Sequence, residues 1–271
     1  MILKCDTHTH TLYSRHAYST IQENVAAARE RGMELLATTD HFSPMLFARP
    51  EDPRNYQYLS TQYEIPEEWM GVRLLKGCEA DIVDMEGHLF GYDIPIERII
   101  TGDPLPERER GSLLERTTRK LDYIIASVHG REFAKNAGRA ACTELYLRAL
   151  EQPKVFILGH IGRSGLPVEL DPILLLAKEK HKLVEINEHS LGGGEEVESR
   201  CREIAIRCAE LDVPISVSTD AHISCDIGRF EHVPSMLREI HFPEELIASR
   251  DKESFLAMLE RSGAAGRMSP A

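Results

Sequence analysis

The chain predicts an α/β fold, a distorted seven-stranded TIM-like barrel, and three observations carry that prediction. Seven short apolar runs are spread along it, most too uniformly apolar to leave a face for solvent, as strands of a covered parallel sheet are. Helical signals fill much of the space between them, the alternation expected of parallel strands joined by crossover helices. The 271 residues suit one barrel, a fold that commonly runs to about 250.

In chain order, residues 2–5 run into Asp6, His8 and His10, and residues 35–37 into Asp40 and His41. Residues 72–75 lead to Glu79, 123–128 to His129, 155–158 to His160, 183–186 to Asn187, and 213–217 to Asp220 and His222. Thr20 with Glu23 reads as a capping box before a helix ending near Gly32. Asp171 followed by Pro172 reads as an N-cap and first helical position, with a helix to about Lys180. Residues 195–211 carry Val197, Ile204, Cys208 and Leu211 at helical spacing behind an acidic first turn that suits the helix dipole. Residues 43–68, broken by Pro44, Pro50, Pro53 and Pro66, are expected to form a loop or lid over the strand ends, and residues 101–111 a polar connection. One domain is expected over 1–262, with a frayed tail at 263–271.

Composition narrows the function. With 42% hydrophobic and 28% charged residues the chain reads as a folded protein with a sizeable core. No apolar stretch approaches the roughly 18 residues of a membrane span, and no signal peptide is read at the start, so a cytoplasmic protein is expected. Six dispersed cysteines without a C-x-x-C pair indicate reduced thiols, neither a zinc ribbon nor a disulfide framework. A net charge of −12 argues against nucleic acid or anionic membrane as a partner, and leaves open a small anion held by metal ions. Neither a Walker motif nor a G-x-S-x-G elbow is present.

The 12 histidines matter through where they fall. His8 and His10, two apart on a predicted strand, project from one face. In a parallel barrel the strand C-termini gather on one rim, and His41, Glu79, His129, His160, Asp220 and His222 all sit at or just beyond such ends. His16 can fold back from its loop. A single histidine is more often a satisfied core or surface residue, whereas recurrence at the same point of six strands indicates a multinuclear metal site. Imidazole with carboxylate suits zinc, manganese or iron and poorly suits calcium. His88 and His189 read as loop or supporting residues, and His181, His232 and His241 as surface positions. Asp6 and Asp40 could orient histidines or handle protons, although a cap or turn explains Asp40 equally well. Arg15, Arg131, Arg163 and Arg229 lie close in sequence to candidate ligands, and should the anion be a phosphate, one or two of them are expected to contact it. The glycine run at 192–194 reads as a mobile connection.

The run Asp6-Thr7-His8-Thr9-His10, then Arg15-His16, then Thr39-Asp40-His41 closely resembles the polymerase-and-histidinol-phosphatase (PHP) superfamily. Glu79 in G-C-E-A, His129 in S-V-H, His160 in G-H and the closing Thr219-Asp220-Ala221-His222 match its remaining motifs in order. The resemblance covers about residues 4 to 230 and is nearest to the stand-alone small phosphatases. It implies a distorted seven-stranded barrel with three divalent metal ions (zinc, manganese or iron). His8, His10, Glu79 and Asp220 would hold the first, with Glu79 bridging to a second completed by His129 and His160. His16, His41 and His222 would bind the third. Ile161-Gly162 after His160 departs from the proline frequent in relatives.

The expected function is a metal-dependent phosphoesterase in which a metal-activated hydroxide at a trinuclear site hydrolyses a small phosphomonoester. Asp220, Glu79 and His222 are the expected catalytic residues. The alternatives are a phosphodiesterase or exonuclease on nucleic-acid ends, hydrolysis of a carbon–nitrogen bond, and a metal-binding regulatory protein without turnover. Histidinol phosphate, sugar phosphates and nucleotides are equally open as substrates, and oligomeric state leaves no trace in the sequence.

Overall fold

A computed structural model of the chain describes residues 1–265. Its central sheet follows chain order: β1 (Cys5–Asp6), β2 (Leu35–Thr38), β3 (Val72–Asp81), β4 (Tyr123–Ser127), β5 (Val155–Leu158), β6 (Leu183–Asn187) and β7 (Ile215–Ser218). Each strand pairs in parallel with the next. Closure between the last and first strands is made just beyond their ends, by a parallel bridge from Thr9 to Ala221 and a hydrogen bond donated by the His10 amide to the Ala221 carbonyl at 2.9 Å. The expected seven-stranded α/β barrel is therefore present. It is distorted, since β1 has 2 residues against 10 in β3.

The strands bury nearly every residue, which is why their sequences are apolar throughout. Leu35, Ala37, Leu75, Tyr123, Ile125 and Leu183 pack inside the barrel with Phe255 and Leu259 of a C-terminal helix. Those strand residues lie largely at strand starts, so that helix plugs the end opposite the histidines. The outer layer comprises α1 (Ile21–Glu30), α2 (Leu113–Thr118), α3 (Arg139–Glu151), α4 (Leu170–Glu179), α5 (Glu195–Glu210), α6 (His232–Glu239) and the plug α7 (Lys252–Ser262).

The capping box of Thr20 and Glu23 opens α1 as expected. The start of α4 corrects the sequence expectation: Leu170 begins the helix, Glu169 is its cap, and Asp171 lies in the first turn. The Asp171 carboxylate is engaged instead by Arg207 of α5, through two bonds of 2.6 Å in a charge-assisted fork. Residues 43–68 form short turns, Pro44–Leu46, Pro53–Tyr56, Gln57–Ser60 and Gln62–Glu64, followed by Glu68–Trp69 paired antiparallel to β3. Within the connection after β3, Pro95–Ile96 pairs with Gly111–Ser112. Gly263 ends α7 in a left-handed conformation and Ala264 is packed into the barrel-interior cluster. Residues 266–271 of the expected tail lie outside the described residues. No described helix is long and apolar enough to cross a membrane. Cys5, Cys78, Cys142, Cys201 and Cys208 are buried free thiols, and Cys225 is exposed.

Gly159 shows how tightly the rim is built. A Cβ there would lie 2.2 Å from Ser127 Oγ and 2.8 Å from Ile125 Cγ2, between β4 and β5 and beside His160. Gly159→Ala is expected to destabilise the fold by about 1–3 kcal/mol, the range for overpacking a close-packed site. Gly130→Ala, whose Cβ meets nothing within 4 Å, is the control. Equal denaturant midpoints for the two variants would refute the packing argument.

Candidate metal centre

The strand ends deliver their polar residues to one small volume. His8 and His10 follow β1, and their Nε2 atoms are 3.1 Å apart, so the shared projection expected of a strand persists past the strand's end. Glu79 lies inside β3 and has no solvent exposure. Its Oε2 is 3.3 Å from His8 Nε2 and 3.6 Å from His10 Nε2. Asp220, beyond β7, places Oδ1 3.1 Å from His10 Nε2 and 3.5 Å from His8 Nε2. Donors on a tetrahedron with metal bonds of about 2.1 Å lie about 3.4 Å apart, so these four atoms fit one small divalent ion.

The other carboxylate oxygen serves different donors. Glu79 Oε1 is 2.7 Å from His160 Nε2 and 3.3 Å from His129 Nε2. His41 Nδ1 approaches Oε2 at 2.8 Å, yet neither atom makes a properly oriented hydrogen bond, and His160 Nδ1 is also buried without a partner. Buried polar atoms are nearly always paired, so converging donors left unpaired fit a cation rather than one another. His16 Nε2 lies 3.0 Å from His222 Nε2 and 3.3 Å from His41 Nε2. Three donor groups could each hold an ion: His8, His10, Glu79 and Asp220; His41, Glu79 and His129; and His10, His41 and His222. All nine residues expected as ligands thus gather in one place, although the second and third of these groups differ from the partition that the resemblance implies.

The far nitrogens of the rings are held by neighbours. His8 Nδ1 is 2.7 Å from Glu185 Oε1 of β6, and His129 Nδ1 is 2.7 Å from Asp81 Oδ1 of β3. His10 Nδ1 meets Ser14 Oγ at 3.0 Å, and Ser14 donates to Asp40 at 2.6 Å. His222 Nδ1 faces the Asp220 carbonyl at 2.9 Å. Asp40 therefore acts on His10 through Ser14. Asp6 touches no histidine ring; it accepts from the Thr219 hydroxyl at 2.6 Å and from the Gly228 amide at 2.9 Å, tying β1 to the loop after β7. Glu185 and Asp81, which contact candidate ligands from behind, are residues the sequence did not single out. Their only signals were an acid inside an apolar strand and an acid two places beyond Glu79.

Burial and charge set the protonation. Burial alone would depress His8, but Glu185, Glu79 and Asp220 hold it well above the ordinary histidine range. His129 is likewise opposed by burial yet raised to about 10 by Glu79 and Asp81. Burial keeps His10 well below the ordinary value, lowers His160 and takes His222 to about 4, leaving these rings neutral and able to ligate. Glu79 and Asp220, despite burial, are held well below the usual carboxylate range by the surrounding imidazoles, with Arg163 adding to Asp220. Burial pushes Asp6 up to about 6.

The amino-acid pattern of residues 6–189 matches the family model described as PHP domain. The chain belongs to the PHP domain family. A "probable phosphatase" from Clostridium botulinum is 38% identical over 258 residues, 95% of each chain. Histidinol phosphate phosphatase from Lactococcus lactis, solved with zinc, L-histidinol and phosphate, shares the fold at 16% identity and a TM-score of 0.51, over 97% of this chain and 95% of that one. A chain of an archaeal ribonuclease P with mature tRNA shares it at 14% identity and a TM-score of 0.53, over 98% and 94%. At those identities the likeness to the two solved structures concerns the fold alone.

A cavity of about 400 Å³ opens over this PHP centre, lined by His16, His41, His129, His222, Asp220 and Arg163 among others. Arg163 Nη2 donates to Asp220 Oδ2 at 2.8 Å. Arg229 lines a neighbouring cavity of about 580 Å³ and donates to Glu231 at 2.8 Å. Arg15 and Arg131 line neither: Arg15 covers the Phe47 ring at 4.5 Å, and Arg131 donates to the Ser164 carbonyl at 3.1 Å. His189 borders both cavities, and the glycines at 192 and 193 border the larger.

Loosening a ring from behind is expected to weaken metal binding. Asp81→Asn and Glu185→Gln should each lower zinc affinity roughly 10- to 100-fold, the usual effect of removing such a partner. Competition against a fluorescent chelator reads this directly, and unchanged affinity in both variants would exclude the orienting role.

Proposed function

We propose that this PHP-family chain is a metal-dependent phosphatase acting on a small phosphomonoester. Its centre takes three divalent ions of the zinc, manganese or iron type, held by His8, His10, His16, His41, Glu79, His129, His160, Asp220 and His222. The observation that carries the reading is the division of Glu79, whose two buried oxygens face separate imidazole sets. That is the arrangement of a carboxylate bridging two ions. The relatives named probable phosphatases, matched over nearly their whole length, support the reaction class. Divalent ions bound there supply nucleophile activation and charge neutralisation for phosphoester hydrolysis.

The chain's own residues supply the rest. Arg163 spends one nitrogen on Asp220 and borders both cavities, so its remaining N–H groups fit a phosphoryl oxygen. Arg229 is already countered by Glu231 and Asp226, which makes it the weaker candidate. Arg163, His189, Asp220 and His222 line both spaces, so a phosphoryl group over the metal centre has room beside it for its leaving alcohol. The polar lining of the larger cavity, which includes Glu188, Asp226 and His232, favours a hydrogen-bonding alcohol over an apolar one.

The test is release of inorganic phosphate by metal-stripped protein resupplied separately with manganese, zinc or iron(II). The panel holds histidinol phosphate, sugar phosphates, nucleotides and a phosphodiester. Metal-dependent release from monoesters is expected, lost by roughly a thousandfold or more, about 4 kcal/mol, in Asp220→Ala and Glu79→Ala. His241→Ala should retain activity. Near-normal turnover in Glu79→Ala would remove the bridging role. Bound metal without phosphate release from any monoester would overturn the proposal.

A further inference from the structure

Away from the metal centre, a pocket of about 290 Å³ lies between the 43–68 insertion, residues 96–100 and the end of α2. Arg98, Arg116, Arg119 and Lys120 line it, and no carboxylate does. The chain has 44 acidic against 32 basic side chains, so a wall of four cations runs against its overall balance. Several arginines elsewhere on the surface are matched, Arg207 with Asp171 and Glu210, Arg202 with Glu239 and Arg200 with Glu196, and unmatched ones among the described residues, such as Arg29, Arg49 and Arg139, do not gather with other cations around this pocket. None of the four pocket cations forms an ion pair with a described carboxylate. Their contacts position them without neutralising them: Arg98 donates to the Gly102 carbonyl at 2.9 Å, Arg116 donates to the Glu109 carbonyl, and the Lys120 ammonium lies 3.5 Å from the centre of the Tyr63 ring.

Like charges converging on a concave wall raise its potential, and an anion is what lowers it. We infer that this pocket is a second, non-catalytic site that binds a small phosphorylated metabolite. The volume lies at the small end of ligand pockets. Tyr63, Ile99 and Ile100, which are 47%, 42% and 50% exposed, offer apolar surface to the organic part of such a molecule. This inference does not rest on the reaction proposed above.

The site also touches the element that supports one edge of the metal centre. Gln57, Ser60 and Thr61 form part of the wall. Tyr58, between them, donates its hydroxyl to the His41 carbonyl at 2.7 Å and stacks on Tyr13 with ring centres 4.8 Å apart. Occupancy of the pocket therefore bears on the same short turn that steadies His41.

The test is calorimetric titration of the metal-loaded protein with methylenebisphosphonate, a phosphate mimic that resists hydrolysis. Two classes of site are expected, one at the metal centre and one here. Arg119→Gln with Lys120→Gln should weaken the second class roughly tenfold or more, since each removes a charge-assisted donor. That variant should keep its fold by circular dichroism and its phosphate release. Asp220→Ala should keep the second class while losing the first. Slower amide exchange across residues 57–64 is expected as the second class fills. Identical titrations for the wild type and the double variant would overturn the inference, as would unchanged exchange at 57–64. So would a single-stranded oligonucleotide that binds through Arg119 and Lys120 where the bisphosphonate does not.

Discussion

The rim of the barrel depends on one carboxylate. Glu79 is wholly buried, with five imidazoles, those of His8, His10, His41, His129 and His160, between 2.7 and 3.6 Å from its oxygens. An isolated carboxylate in that position would be neutralised by taking up a proton; here the surrounding rings keep it ionised. The end of the barrel away from the rim needs none of this, because it is closed by aliphatic and aromatic packing around Tyr123 and Phe255. So dense a set of buried titratable groups destabilises a fold unless something compensates it, and multivalent cations do so at the smallest cost in space.

Rigidity at this centre comes from strands more than loops. β3 is long enough to carry Glu79 and Asp81, two apart and on one face, so one strand supplies both the shared carboxylate and the brace behind His129. Glu185 of β6 spans a wider gap, accepting from the His160 amide at 2.9 Å while its other oxygen meets His8. It thereby fixes the ends of β1 and β5 against β6. Ligands carried on loops, His16 and His222, are the more exposed members, and they face the open side of the cavity where substrate must enter.

Those features divide what the sequence made legible from what it did not. Histidines and acids at the ends of apolar runs are visible because a covered strand excludes such residues until it reaches the rim, and all nine expected ligands did converge. Glu185 sits in the middle of L-V-E-I-N, where alternation offers no sign that one inward position faces an imidazole. The choice among the arginines was equally hidden. Arg163 is carried into the cavity by the turn Ile161–Ser164 directly after His160, whereas Arg15 is drawn to Phe47 and Arg131 to a carbonyl. The start of α4 was misplaced because Asp171 has a partner, Arg207, that only the packing of α4 on α5 supplies.

Fold closure and the candidate metal centre share one seam. Asp220 and His160 hold positive φ angles of 58° and 27°, which non-glycine residues adopt at a cost of about 1–3 kcal/mol. Each is pinned there by a bond that also builds the centre: the Asp220 amide donates to the His8 carbonyl at 2.9 Å, and the His160 amide to Glu185. The first of these is also a bond that joins the barrel's last strand to its first, bringing together motifs more than 200 residues apart. A cation shared by His8, His10 and Asp220 would tighten that seam from inside, and binding to the folded state alone stabilises it in proportion to the logarithm of ligand excess. The seam is therefore the place where metal occupancy and barrel stability are coupled, and the strain at Asp220 and His160 is tolerated because the same contacts answer both demands.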